Sequence, residues 1–139
     1  MRPCILIVED NGPDLLLIQE ALAAAEIVAD VEIARDGEQA TAFLDRAERD
    51  PEAPAPRLVI LDINLPRKPG DEVLRHMRQS TRSRSALVLV VSTSDASKDR
   101  ERMISLGADF YFRKPSDYDS FMKLGGIVRH FLSNAARGA

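Results

Sequence analysis

The sequence predicts an α/β domain: a five-stranded parallel sheet, doubly wound, with five helices. Three features predict it. Five apolar runs of strand length recur along the chain, and the first four are rich in Val and Ile. Longer stretches of helical spacing lie between them. The two kinds alternate five times, and strands joined through helices pair in parallel, with right-handed crossovers that lay helices on both faces.

The first strand is expected at Cys4–Val8 and the first helix over Asp14–Ala25, where Leu15, Ile18, Leu22 and Ala25 recur at spacings of three and four. The second strand is Val31–Ala34. The turn Asp36-Gly37 leads into a helix over Glu38–Glu48, with Ala40, Phe43, Leu44 and Ala47 on one face. Residues 45–57 end that helix and continue as an exposed loop holding three prolines. The third strand is Leu58–Leu61, followed by a helix over Gly70–Gln79 carrying Val73, Leu74 and Met77. The fourth is Leu87–Val91, followed by a helix over Lys98–Leu106 that Gly107 stops. The fifth is Phe110–Phe112, and the last helix runs over Asp117–Ser133. Gly125 and Gly126 weaken that helix by about 1 kcal/mol each, and the sequence names nothing that offsets the loss. The strands lack alternation, so both faces of the sheet are expected to be covered.

The chain has 139 residues, enough for one domain, expected to span 1–139. It is 45% hydrophobic and 29% charged, with a net charge of −3, which suits a globular protein and argues against a nucleic-acid partner. The longest apolar run is Ala86–Val91, far below the roughly 20 residues a bilayer span needs. No signal peptide is recognisable before Glu9. One cysteine and two histidines exclude an internal disulfide and a Cys/His zinc cluster. A cytoplasmic protein is expected.

In such sheets the working residues stand at the carboxyl ends of the strands. Glu9, Asp10 and Asn11 follow the first run, Asp62 the third, Ser92, Thr93 and Ser94 the fourth, and Arg113, Lys114 and Pro115 the fifth. Glu9, Asp10 and Asp62 together repel one another unless a counter-charge is near. Lys114 alone leaves an excess of negative charge, and one divalent cation neutralises it. Oxygen ligands suit Mg²⁺. A carboxylate beside Mg²⁺, a lysine and a hydroxyl can accept a phosphoryl group by in-line attack.

These residues resemble the receiver domain of two-component response regulators, over the whole chain. The likeness rests on LIVED-N, LDINLPRKPG, VVSTS and the RKP after FYF. Asp62 to Ser92 spans 30 residues and Ser92 to Lys114 spans 22, as in many receivers. The resemblance implies a flavodoxin-like fold with Asp62 as phospho-acceptor. It implies Asp10 as a direct Mg²⁺ ligand, Glu9 as a ligand or holder of its water, and the Asn64 carbonyl as a further ligand. Ser92 becomes the switch hydroxyl, Lys114 the phosphoryl partner and Tyr111 the aromatic switch, and the Lys114–Pro115 bond is expected to be cis. The Pro-rich loop, the STS and the KPS resemble the small response regulators that partner bacterial phytochromes. Thr93 stands where many receivers have Ala and is expected to crowd a hydrolytic water. Pro69 stands where the family often has Asp.

The expected partner is a sensor histidine kinase, with a bacteriophytochrome implied by the narrower likeness. Nothing after residue 134 reads as an output domain, so output is expected through protein contacts. A two-fold homodimer is expected through the fourth helix, fifth strand and last helix, which present Arg102, Met103, Phe110, Phe112 and the apolar residues from Phe121 to Leu132. A haloacid-dehalogenase-type phosphatase also uses a strand-end Asp with Mg²⁺, but needs a second acid two residues on. Position 64 is Asn, which transfers no proton. A flavodoxin-like cofactor binder needs a hydroxyl-rich phosphate loop where Glu9-Asp10-Asn11 stands.

Overall fold

The structure is a computed structural model. It describes residues 2–138, and side chains as far as Asn134. Five strands, β1 (Cys4–Val8), β2 (Asp30–Ala34), β3 (Leu58–Leu61), β4 (Leu87–Ser92) and β5 (Phe110–Arg113), alternate with α1 (Gly12–Ala24), α2 (Gly37–Arg49), α3 (Gly70–Gln79), α4 (Ser97–Ser105) and α5 (Tyr118–Gly138). All neighbouring strands pair in parallel, in the order β2-β1-β3-β4-β5. The chain leaves β1 toward one edge and returns to pair β3 on its other side. The order therefore reverses between β1 and β3, and a crevice opens past their carboxyl ends.

Successive strand side chains feed opposite layers. Leu6, Val8, Val59, Leu61, Val88 and Val90 pack with Leu44, Leu74, Met77 and Met103 from α2, α3 and α4. Ile5, Ile7, Leu58, Ile60, Leu89 and Val91 pack with Ile18, Leu22, Phe121, Leu124 and Val128 from α1 and α5. Tyr111 joins the first layer, while Phe110 and Phe112 pack against the second.

β2 departs from the expected cover. It is an edge strand, and Val31 and Ile33 are exposed, as are Asp30 and Glu32. Glu32 between Val31 and Ile33 is an alternation that the short apolar count obscured.

The glycine pair of α5 separates into two cases. A Cβ on Gly125 would lie 2.2 Å from the Ala21 carbonyl oxygen, so the bare glycine lets α5 press against α1. Nothing in the structure explains Gly126, whose Cβ position meets open space. Gly70 has a similar role at the site: a Cβ there would lie 2.5 Å from the Asp62 carbonyl oxygen. The amide of Gly70 donates to the Ile63 carbonyl at 3.1 Å, so α3 starts directly against the end of β3.

Candidate functional site

Each site residue is placed by the strand before it. β1 delivers Glu9 fully buried and Asp10 exposed. Asn11 then caps α1, its side chain accepting from the Asp14 amide at 2.9 Å. β3 delivers Asp62, 8% exposed, whose Oδ1 accepts from the Asn64 amide at 3.1 Å. β4 ends on Ser92, wholly buried, whose Oγ accepts from the Ser94 amide at 3.1 Å. One residue past β5, the Lys114 amide donates to the Ser92 carbonyl at 2.7 Å, which fixes the root of its side chain.

Lys114 gathers the carboxylates. Its Nζ lies 2.8 Å from Glu9 Oε1, 2.8 Å from Asp14 Oδ2 and 3.3 Å from Asp62 Oδ2. The contacts to Asp14 and Asp62 are directed hydrogen bonds. The Glu9 contact is close but not directed, and Glu9 Oε1 is a buried oxygen without a hydrogen-bond partner among the described residues. Burial raises the Glu9 carboxyl to about 7: the Lys114 ammonium works against the shift and the Asp62 charge works with it. Burial alone would lower Lys114, but Asp14, Glu9 and Asp62 outweigh it and hold the ammonium above its ordinary range. The lysine therefore stays charged, and the buried Glu9 takes up a proton more readily than an ordinary glutamate.

Oxygens of Glu9, Asp10 and Asp62 all lie within 4.8 Å of one another. This set, with the orphaned Glu9 oxygen, suits a hard divalent cation. Acceptor and exposure also fit: Asp10 opens the set to solvent, from which a cation and its waters can enter.

The chain belongs to the response regulator receiver domain family. The family model matches residues 5–124. The receiver is 36% identical over 129 residues to the response regulator Rcp1 of Synechocystis, covering 92% of this chain and 88% of that one. Its fold superposes with a TM-score of 0.86 on the phosphorylated cyanobacterial phytochrome response regulator RcpA, at 34% identity and with 96% of each chain covered. It superposes with a TM-score of 0.80 on the Mn²⁺-bound form of Rcp1, at 36% identity, covering 90% of this chain and 91% of that one. The receiver fold is thus the flavodoxin-like one expected, and a divalent-metal site fits both the family and the acidic set. The phosphatase alternative finds no counterpart among these relatives.

One expectation about the receiver's site is corrected. The Lys114–Pro115 bond is trans, and no described peptide bond is cis. Trans is the favoured X-Pro isomer by about 0.5–1 kcal/mol. The Ser92 carbonyl and the three carboxylates already place the lysine, so a cis bond is not required to aim it.

Asp14 is the residue sequence reasoning missed. It sits in the first turn of α1, where an acid is read as a helix-dipole partner. Its place in the first turn of α1, directly after the strand-end residues Glu9 and Asp10, was the available signal. Tyr111 is buried, and its hydroxyl donates to the Ser94 carbonyl at 3.0 Å. Ser94 Oγ in turn donates to Asp99 Oδ2 at 2.6 Å, at the start of α4. Thr93 is exposed and lines a cleft of about 470 Å³ together with Asp14, Arg113 and Lys114.

The loop from Asp62 to Gly70 carries two non-glycine residues at positive φ, Arg67 at 56° and Lys68 at 130°. It is tied across to α2: Arg67 pairs with the buried Asp36 at 3.1 Å, and the Gly37 amide donates to the Pro66 carbonyl at 3.3 Å. His76 is half-buried and meets Asp45 at 2.7 Å.

Proposed function

We propose that Asp62 accepts a phosphoryl group from a phosphohistidine of a sensor histidine kinase, with Mg²⁺ as the metal. The carrying observation is a buried strand-end carboxylate, 3.3 Å from a buried ammonium and within metal reach of Glu9 and Asp10. The P–N bond of the donor breaks as a P–O bond forms to an Asp62 oxygen. The donor imidazole leaves with the electron pair and takes a proton. Lys114 holds a phosphoryl oxygen, and the Ser92 hydroxyl turns to donate to another. Glu9, Asp10, Asp62 and the Asn64 carbonyl hold the cation, which when bound neutralises charge on the transferring group.

Ser92 and Tyr111 form the switch, read out through the β4–α4 loop. The receiver pairs with a second copy through α4, β5 and α5. Support comes from Ile104, 45% exposed on α4, and from Phe110, Phe112, Ile127, Phe131 and Leu132, all only partly buried. Names among the similar structures, phytochrome and bacteriophytochrome response regulators, favour a bacteriophytochrome as the kinase. The reading is of a cytoplasmic signalling protein with no nucleic-acid or membrane partner; no described helix is long and apolar enough to cross a membrane.

The test is intact-mass measurement after incubation with acetyl phosphate and Mg²⁺. The wild type is expected to gain about 80 Da, one HPO₃ group, and Asp62→Asn to gain nothing. Full phosphorylation of the variant would remove Asp62 as acceptor.

A further inference from the structure

Three carboxylates surround the Lys114 ammonium, but they are not equivalent. Glu9 and Asp62 also belong to the set of oxygens that can hold a cation. Asp14 lies outside that set. It is 2.8 Å from Nζ by a directed hydrogen bond, the shorter of the two directed bonds Lys114 makes. It comes from α1, while the lysine comes from the end of β5, and α1 is clamped to α5 where Gly125 meets Ala21.

We propose that Asp14 is a positioning residue that anchors the Lys114 ammonium for the phosphoryl group. A cation at Glu9, Asp10 and Asp62 draws two of the ammonium's three partners toward itself. Asp14 is the partner left to hold the amine in place. The long 3.3 Å bond to Asp62 is the one a phosphoryl oxygen replaces, so Asp14 need not let go as the group arrives. An ammonium has three donors, and a fixed direction for one restricts where the others point. Side-chain rotamer freedom that an unanchored lysine would lose on binding is lost beforehand.

The inference rests on Asp62 as acceptor, and its test separates the two. Beryllofluoride with Mg²⁺, a mimic of the bound phosphoryl group, is titrated by calorimetry, and Mg²⁺ alone is titrated in parallel. Asp14→Ala is expected to weaken beryllofluoride binding about tenfold, the scale of one hydrogen bond to a charged group. Binding of Mg²⁺ alone is expected to change much less. Asp14→Asn, which keeps an acceptor oxygen and loses the charge, is expected to fall between, and serves if the alanine variant does not fold. In a Lys114→Ala background, removing Asp14 is expected to cost nothing further. Equal or tighter beryllofluoride binding by the Asp14 variants overturns the proposal, as does the same loss with and without Lys114. A wild type that binds no beryllofluoride removes the acceptor reading and this one with it. A wild type that binds, with unchanged Asp14 variants, removes this one alone.

Discussion

The hydroxyl of Tyr111 donates to the carbonyl oxygen of Ser94 at 3.0 Å. The same Ser94 gives its amide to Ser92 Oγ and its own hydroxyl to Asp99. One residue thus joins the end of β4, the middle of β5 and the first turn of α4. Tyr111→Phe removes one of these ties and leaves the ring. A stability loss of about 1 kcal/mol is expected. Hydrogen exchange should quicken across residues 93–99, and unchanged exchange there would show that the bond does not hold the loop.

Metal affinity should follow charge. Asp10→Asn is expected to weaken Mg²⁺ binding far more than Ser92→Ala, because a carboxylate brings a charge to the cation and a hydroxyl does not. Calorimetric titration of both variants decides it. Equal losses would take Asp10 out of the ligand set. In wild type, Mg²⁺ should raise the melting temperature, since binding to the folded chain stabilises it by mass action.

Glu9 makes both folding and binding depend on pH. Its carboxyl titrates at about 7 when folded, against 4.5 for an ordinary glutamate. Between these values the folded chain holds a proton that the unfolded chain has released. The contribution of Glu9 to stability therefore falls as pH rises through that window and levels off above 7. A cation requires the ionised form, so Mg²⁺ affinity should rise as pH approaches 7. Glu9→Gln should flatten both trends, as urea melts and metal titrations at several pH values would reveal.

The exposed Thr93 shares its cleft with Lys114. Thr93→Ala opens the approach of water to a phosphorylated Asp62, and the mass-detected phosphoprotein should decay several-fold faster. An unchanged decay would show that the methyl and hydroxyl do not screen the bond.

Self-association can be tested at α4. Sedimentation at micromolar concentration is expected to show a species of twice the chain mass of 15.4 kDa. Ile104→Glu should dissociate it without affecting phosphorylation. Ile127 on α5 is partly buried against the α1–α5 layer, so a charge there would also cost folding.

Much of this architecture was legible because burial writes itself into residue type. β1, β3 and β4 are apolar at nearly every position because both faces are covered, and Gly107 does end α4 at positive φ. The strand-end rule is enough to group Glu9, Asp10, Asp62 and Lys114 from sequence alone. What escaped depends on three-dimensional proximity without a local signature. Asp14 meets Lys114 across 100 residues, and an acid in a first helical turn has an ordinary explanation. Arg67 and Lys68 give no hint of positive φ, which sequence usually marks with Gly or Asn. The exposure of β2 follows from its place at the sheet edge, which strand composition does not specify.

The close contact of α1 with α5, through Gly125 and Ala21, has a meaning for synthesis on the ribosome. α1 is made first, and its apolar side faces a partner that comes from the far end of the chain. At about 5–20 residues per second, several seconds pass before α5 exists to cover it. During that time Ile18 and Leu22 have only the sheet strands to cover them, and Asp14 has no lysine. The nascent chain therefore completes the cover of its first helix and the surroundings of Asp14 in the same late stretch of synthesis.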